Sequence, residues 1–253
     1  VHFVGIGGCG MSGLARMTQA AGATVSGTDA VQSAITDALS AQGIAVGFDQ
    51  QSPQLPEPCD LLVCSAAIPA EHPERQAADH KGIETISYAQ MLGRMMRGRR
   101  GVAIAGTHGK STTTAMLAHI LIQCELDPNF IIGATCEQIG GGARVGQSDM
   151  LLAEACEYDR SFHHLRPSVA AILNVEEDHL DIYGSLDAIV EAFHGFAQLL
   201  PDAQAGGYLL IHHDRAQRTR VAAGLACTVQ TIGFSPEADW QIRINDHVTL
   251  TDG

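Results

Sequence analysis

The stretch Gly106-Thr-His-Gly-Lys-Ser-Thr112 has the residue types of a phosphate-binding loop. Glycines let backbone N–H groups close on phosphate oxygens, and a helix N-terminus beyond them adds partial positive charge. Lys110 can reach the outer phosphates, and the Ser111 hydroxyl can bind Mg²⁺. The spacing is G-x-x-G-K-S; Ile104 stands where the longer G-x-x-x-x-G-K-[ST] form has its first glycine. Two acid-bearing stretches lie downstream. Met150-Leu-Leu-Ala-Glu154 is an apolar run ending in a carboxylate, and Val169-Ala-Ala-Ile-Leu-Asn174 leads to Val175-Glu-Glu-Asp-His-Leu-Asp181. If both runs are strands beside the one preceding the loop, Glu154 and His179 arrive at the phosphates. Mg²⁺ takes oxygen ligands at about 2.1 Å and keeps several waters, so Ser111 and Glu154 suffice for one ion. Imidazole is a less usual Mg²⁺ ligand, so His179 suits a second ion or a plain loop position.

A second glycine motif opens the chain. Gly5-Ile-Gly-Gly-Cys-Gly10 follows the apolar run His2–Ile6, and Asp29 lies about 20 residues further on, after a short strand pattern. Strand, glycines, helix, strand and acid in this order mark a site for a diphosphate and a ribose. They leave open whether the ligand is NAD or a nucleotide-sugar. Gly7, Gly8, Cys9, Gly10, Met11 and Ser12 are the candidate diphosphate contacts and Asp29 the candidate ribose contact. Ser65 and Ala66 follow the strand pattern Asp60–Cys64 and can face the same ligand, or form a plain loop.

Elements that position these residues alternate between strand and helix patterns, so an α/β architecture with parallel sheets is expected. A Rossmann-like domain over residues 1–97 and a P-loop α/β domain over 98–253 are the expected units. Helices are expected from Ser33, Pro73, Ser87 and Ser185, the serines acting as caps, and from Asp214 to about Gly224. Val229–Gly233 and Gln241–Ile244 read as strands. The stretch 133–148 reads as one long glycine-rich loop. The cluster Arg94, Arg97, Arg99 and Arg100 reads as a solvated helix end.

The 253 residues carry a formal net charge of −13, which disfavours nucleic acid and anionic membranes as partners. Seven cysteines, none in a C-x-x-C pair, fit reduced thiols in the cytoplasm better than a disulfide framework. No apolar run is long enough for a membrane span. The abrupt ends, including Val248–Gly253, suggest a piece of a longer protein.

Taken together, the motifs resemble the Mur ligases, the ATP-dependent amide-forming enzymes of peptidoglycan precursor synthesis. The resemblance is carried by His2–Gly13, Gly106–Thr112, Ala153-Glu-Ala155 with Tyr158–Phe162, and Asn174–Tyr183. It implies that the first domain binds a UDP-sugar, with the glycine loop on its diphosphate. It implies ATP on Gly106, Thr107, His108, Gly109, Lys110, Ser111 and Thr112, with Mg²⁺ on Ser111, Glu154 and His179. The catalytic set it implies is Lys110, Glu154 and His179. The implied substrates are UDP-N-acetylmuramate and L-alanine, joined through an acyl phosphate. The spacing of Ser161–Pro167 matches the alanine-adding branch, whereas Thr135–Gly140 leans towards the branch that reattaches a recycled tripeptide. An NAD-dependent oxidoreductase or sensor, and a non-catalytic nucleotide-binding regulator, are the readings from other classes. The family's third domain lies outside these residues, so the chain is expected to be inactive alone.

Overall fold

The computed structural model describes residues 1–244; Val248–Gly253 lie outside them. Five parallel strands come first: β1 (His2–Val4), β2 (Ser26–Thr28), β3 (Ala45–Gly47), β4 (Leu61–Cys64) and β5 (Glu84–Ser87), in the order β3-β2-β1-β4-β5. The order reverses between β1 and β4, and a ligand crevice forms at such a switch point. Helices α1 (Cys9–Ala20), α2 (Ala34–Ala41), α3 (Pro73–Lys81) and α4 (Tyr88–Met96) join or follow these strands. Ser33 and Ser87 each close a capping box, with Thr36 and Gln90 returning the bond. Each box satisfies amide donors that the helix itself leaves free.

The second sheet has eight strands: β6 (Arg100–Ala105), β7 (Asn129–Ile131), β8 (Ala143–Arg144), β9 (Met150–Ala155), β10 (Val169–Ile172), β11 (Tyr208–His212), β12 (Thr228–Gly233) and β13 (Trp240–Gln241). Their order is β13-β12-β11-β10-β6-β9-β7-β8, parallel except for β8. Thus β6 lies between β9 and β10, with Ile104 opposite Glu154 and Ala105 opposite Ile172. Helices α5 (Lys110–Gln123), α6 (Leu180–Tyr183), α7 (Leu186–Ala197) and α8 (Arg218–Val221) complete the unit.

Three expectations are corrected. The stretch 133–148 is no single loop: it holds a 3-10 turn at Glu137–Ile139 and β8, which pairs antiparallel with β7. No helix starts at Asp214. Its carboxylate accepts the amides of Phe234 (2.6 Å) and Ser235 (3.2 Å), tying one loop to another, and the helix is confined to α8. The last strand ends at Gln241 rather than Ile244.

One core runs through both sheets. It includes Phe3, Leu14 and Met17 of the first unit with Ile131, Ala143 and Leu151 of the second. The contact needs Gly13: a Cβ there would sit 2.6 Å from the Ala143 methyl, closer than carbon atoms pack. Gly13, three residues beyond the opening motif, therefore serves helix-to-sheet packing.

Candidate functional site

The loop Gly106–Gly109 leaves the carboxyl end of β6, the centre of the second sheet, and α5 begins directly at Lys110. Gly109 caps α5 at φ 85°, a left-handed conformation that favours glycine. The loop is latched to the segment after β10. Asn174 Oδ1 accepts the His108 amide (2.8 Å), Asn174 Nδ2 donates to the His108 carbonyl (3.0 Å), and the Thr107 amide donates to the Asn174 carbonyl (3.1 Å). The Thr107 hydroxyl accepts the Glu176 amide at 3.0 Å. No acid occupies the first turn of α5, so its N-terminal amides keep their attraction for an anion.

Lys110 points back into the loop. Its Nζ donates to the Gly106 carbonyl (2.7 Å), the Thr107 carbonyl (3.1 Å) and Glu157 Oε1 (3.0 Å), and lies 2.8 Å from Glu157 Oε2. Glu157 is buried, and nothing in the sequence separated it from the acids around it. Its only sequence signal is its place three residues beyond Glu154. Ser111 Oγ donates to Glu154 Oε2 at 3.1 Å, and Glu154 Oε1 accepts the Gly133 amide at 2.8 Å. A hydroxyl and a carboxylate so close suit Mg²⁺, which would fill its other positions with water and phosphate oxygens.

His179 stands at the start of α6 with φ 51°, a left-handed conformation uncommon outside glycine. Its Nε2 is 3.9 Å from Glu157 Oε1, and the Tyr158 ring meets its edge at 5.1 Å between centroids. Ligand atoms of Glu157, Asp178 and His179 lie within 4.8 Å of one another. Among the described residues no hydrogen bond or ion pair joins His179 to Glu154. The fold therefore makes two groups around adjacent loop residues, Ser111 with Glu154 and Lys110 with Glu157 and His179.

A cavity of about 300 Å³ flanks the loop on the β10 side, lined by His108, Gly109, Leu173, Asn174, His212 and Arg215 among others. The last third of the chain, without a candidate in the sequence, thus contributes side chains beside the loop Gly106–Gly109. On the other flank a cavity of about 540 Å³ borders Ser111 and Thr112, with an apolar lining from Met116, Ile132 and Ile139.

In the first unit, the glycine loop and Ser65 meet at the switch point. The Ser65 amide donates to the Val4 carbonyl (3.0 Å), and a Cβ on Gly5 would touch the Ser65 side chain at 3.0 Å. Asp29 Oδ2 accepts the Gly7 amide at 2.7 Å, and Oδ1 accepts the Val31 amide at 3.2 Å. The acid is therefore inside the loop's own hydrogen bonding as well as beside it. Gly8 caps α1, and Gly10 packs on the Tyr88 ring. Met11 and Ser12 are buried; Ser12 Oγ donates to the Cys9 carbonyl (2.9 Å) and the Ser12 amide to the Gly8 carbonyl (2.8 Å), so neither side chain faces a ligand. Ala66 is exposed. Burial pushes the Cys9 thiol up, so it remains a neutral donor, directed at the Ile132 carbonyl of the second unit (3.6 Å).

Family models match the chain twice: "Mur ligase family, catalytic domain" over residues 1–100 and "Mur ligase middle domain" over 104–252. The chain belongs to the Mur ligase family. It is similar to UDP-N-acetylmuramate–L-alanine ligase of Clostridium beijerinckii, 40% identical over 240 residues covering 94% of this chain and 51% of that one. The Streptomyces coelicolor ligase of the same name is 41% identical, over 96% of this chain and 52% of its own. This chain thus spans about half the length of the curated relatives it matches. A solved structure of UDP-N-acetylmuramate:L-alanyl-gamma-D-glutamyl-meso-diaminopimelate ligase from Neisseria meningitides superposes with a TM-score of 0.81 at 32% identity, over 91% of this chain and 76% of that one. For UDP-N-acetylmuramate-alanine ligase from Thermotoga maritima the TM-score is 0.77 at 25% identity, over 92% and 52%. The α/β architecture of parallel sheets is that of this family. Among the described residues no helix is long and apolar enough to cross a membrane.

Proposed function

We propose that this chain carries the sugar-nucleotide and ATP halves of an ATP-dependent ligase that joins L-alanine to UDP-N-acetylmuramate in the cytoplasm. The single observation behind it is the loop at the end of β6, where Lys110 and Ser111 stand beside Glu157 and Glu154. The 40% identity to alanine-adding ligases supports the same reading. Residues 1–97 would hold the UDP-sugar on Gly7–Ser12, Asp29, Ser65 and Ala66; residues 98–253 would hold ATP on Gly106–Thr112. Magnesium, when bound, would offset charge between the phosphates. Ser111 and Glu154 would hold it, and His179 would serve a second ion. The sugar carboxylate attacks the γ-phosphorus, giving an acyl phosphate and ADP. The alanine amine then attacks the acyl carbon, and phosphate leaves. Lys110 and the α5 amides stabilise charge on the migrating phosphoryl group, where positioning and electrostatics dominate.

Phosphate release by the full-length protein tests this, with UDP-N-acetylmuramate and either L-alanine, glycine, L-serine or the tripeptide. Release with L-alanine alone is expected. Release only with the tripeptide would replace this reading by the recycling one, which the superposition on the Neisseria enzyme favours. Tight NAD binding without UDP-sugar binding would overturn both.

A further inference from the structure

Lys110 has no N–H left for a ligand. An ammonium carries three donors, and here they go to the Gly106 carbonyl, the Thr107 carbonyl and Glu157 Oε1. The carbonyls belong to the loop itself and are neutral. Glu157 is an anion, and its side chain is 4% exposed. It occupies, from the loop's point of view, the role a phosphate oxygen takes when nucleotide arrives.

The backbone is built to hold it there. The Glu157 carbonyl accepts the Arg160 amide at 2.9 Å and the hydroxyl of buried Tyr183. Asp159 and Arg160, the second and third residues after it, both take left-handed conformations (φ 48° and 54°). Arg160 lies over the Tyr183 ring, 5.0 Å from its centroid. A turn that two non-glycine residues enter against preference, pinned by a buried phenol, fixes one carboxylate beneath one lysine.

We infer that Glu157 is a positioning residue that holds the Lys110 ammonium against the loop carbonyls and surrenders it to phosphate on nucleotide binding. Binding is then an exchange of one anion for another. Because the pair is largely buried, breaking it opposes binding, and the nucleotide binds less tightly than the loop alone would allow. This role rests on the reading of Gly106–Thr112 as an ATP loop.

ADP is the probe, titrated calorimetrically against the full-length protein without magnesium. Glu157→Gln keeps the shape and one acceptor oxygen and removes the charge. It should bind ADP about fivefold tighter or more. Lys110→Ala should weaken ADP binding, and adding Glu157→Gln to Lys110→Ala should give no such gain, since the effect passes through the lysine. A merely structural Glu157 would weaken binding, or leave it unchanged, in both backgrounds. Unchanged or weaker binding in a folded Glu157→Gln protein, or an equal gain without Lys110, would overturn the proposal. Should Glu157→Gln not fold, Glu157→Asp decides: its shorter reach loosens the pair, and ADP must bind at least about twofold tighter. If unaltered protein does not bind ADP, or Lys110→Ala binds it equally well, the ATP-loop reading fails and this inference with it. If both behave as expected and only the gain is missing, this inference fails alone.

Discussion

Ser111 meets Glu154, and Lys110 meets Glu157, because the loop after β6 lies beside the carboxyl end of β9. Lys110→Ala in the full-length protein should reduce ligase turnover roughly a hundredfold, the scale of one lost charge-stabilising group, with UDP-sugar binding intact. Phosphate release and UDP-sugar titration check this together. Glu154→Ala removes the acceptor of the Ser111 hydroxyl and of the Gly133 amide. Its magnesium titration of turnover should move to higher concentration; an unmoved curve would count against Glu154 as a ligand. Both residues were legible in the sequence because each ends or follows an apolar strand run. Glu157 was not. It lies among Cys156, Tyr158 and Asp159 with no periodicity to give its direction, and the two left-handed residues after it turn it inward.

At the scale of elements, α1 shows how one motif serves two purposes. Its N-terminal glycines form the loop, while Gly13 lets it lie against β8. Gly13→Val should cost about 1–3 kcal/mol by overpacking, read as a lower denaturation midpoint, and should disturb both units because one core joins them. Helix caps were readable from single serines. The pairing of β8 with β7 was not, because a two-residue strand in a glycine-rich stretch carries no pattern; only its partner's edge makes it a strand. The helix expected from Asp214 failed for a related reason. An acid that caps a helix and an acid that clamps a distant loop look alike until Phe234 and Ser235 arrive.

Across the whole molecule, a buried polar cluster gives stability a pH dependence. Glu74 is buried, which works to raise its carboxyl. Contacts from His2 Nε2 (3.3 Å), the Thr28 hydroxyl (2.6 Å) and the Gln54 amide (3.2 Å) outweigh this and leave it below the ordinary glutamate value. A depressed carboxyl binds its proton more weakly folded than unfolded. Its contribution is present above the unfolded value and is lost as pH falls through the folded one. Urea unfolding should show stability falling with acid below about pH 4.5, and Glu74→Gln should be less stable at neutral pH with a shallower acid loss. An equal slope in the variant would remove Glu74 from the account. The network spans β1, β2 and α3, so the effect belongs to the first sheet as a unit.

Sequence alone determined the two glycine loops, their strand-loop-helix settings, the parallel α/β class and the family, because these depend on local spacing and on hydrophobic runs that need no partner to be read. Tertiary structure decided what each polar group faces. It set β6 between β9 and β10, tied Asp29 back into the loop at Gly7, latched the loop Gly106–Gly109 with Asn174, and paired Glu157 with Lys110. The physical reason is range. Backbone propensity and burial pattern act over a few residues, whereas the partner of a buried charge is chosen by whichever distant segment the packed sheet brings within hydrogen-bonding distance.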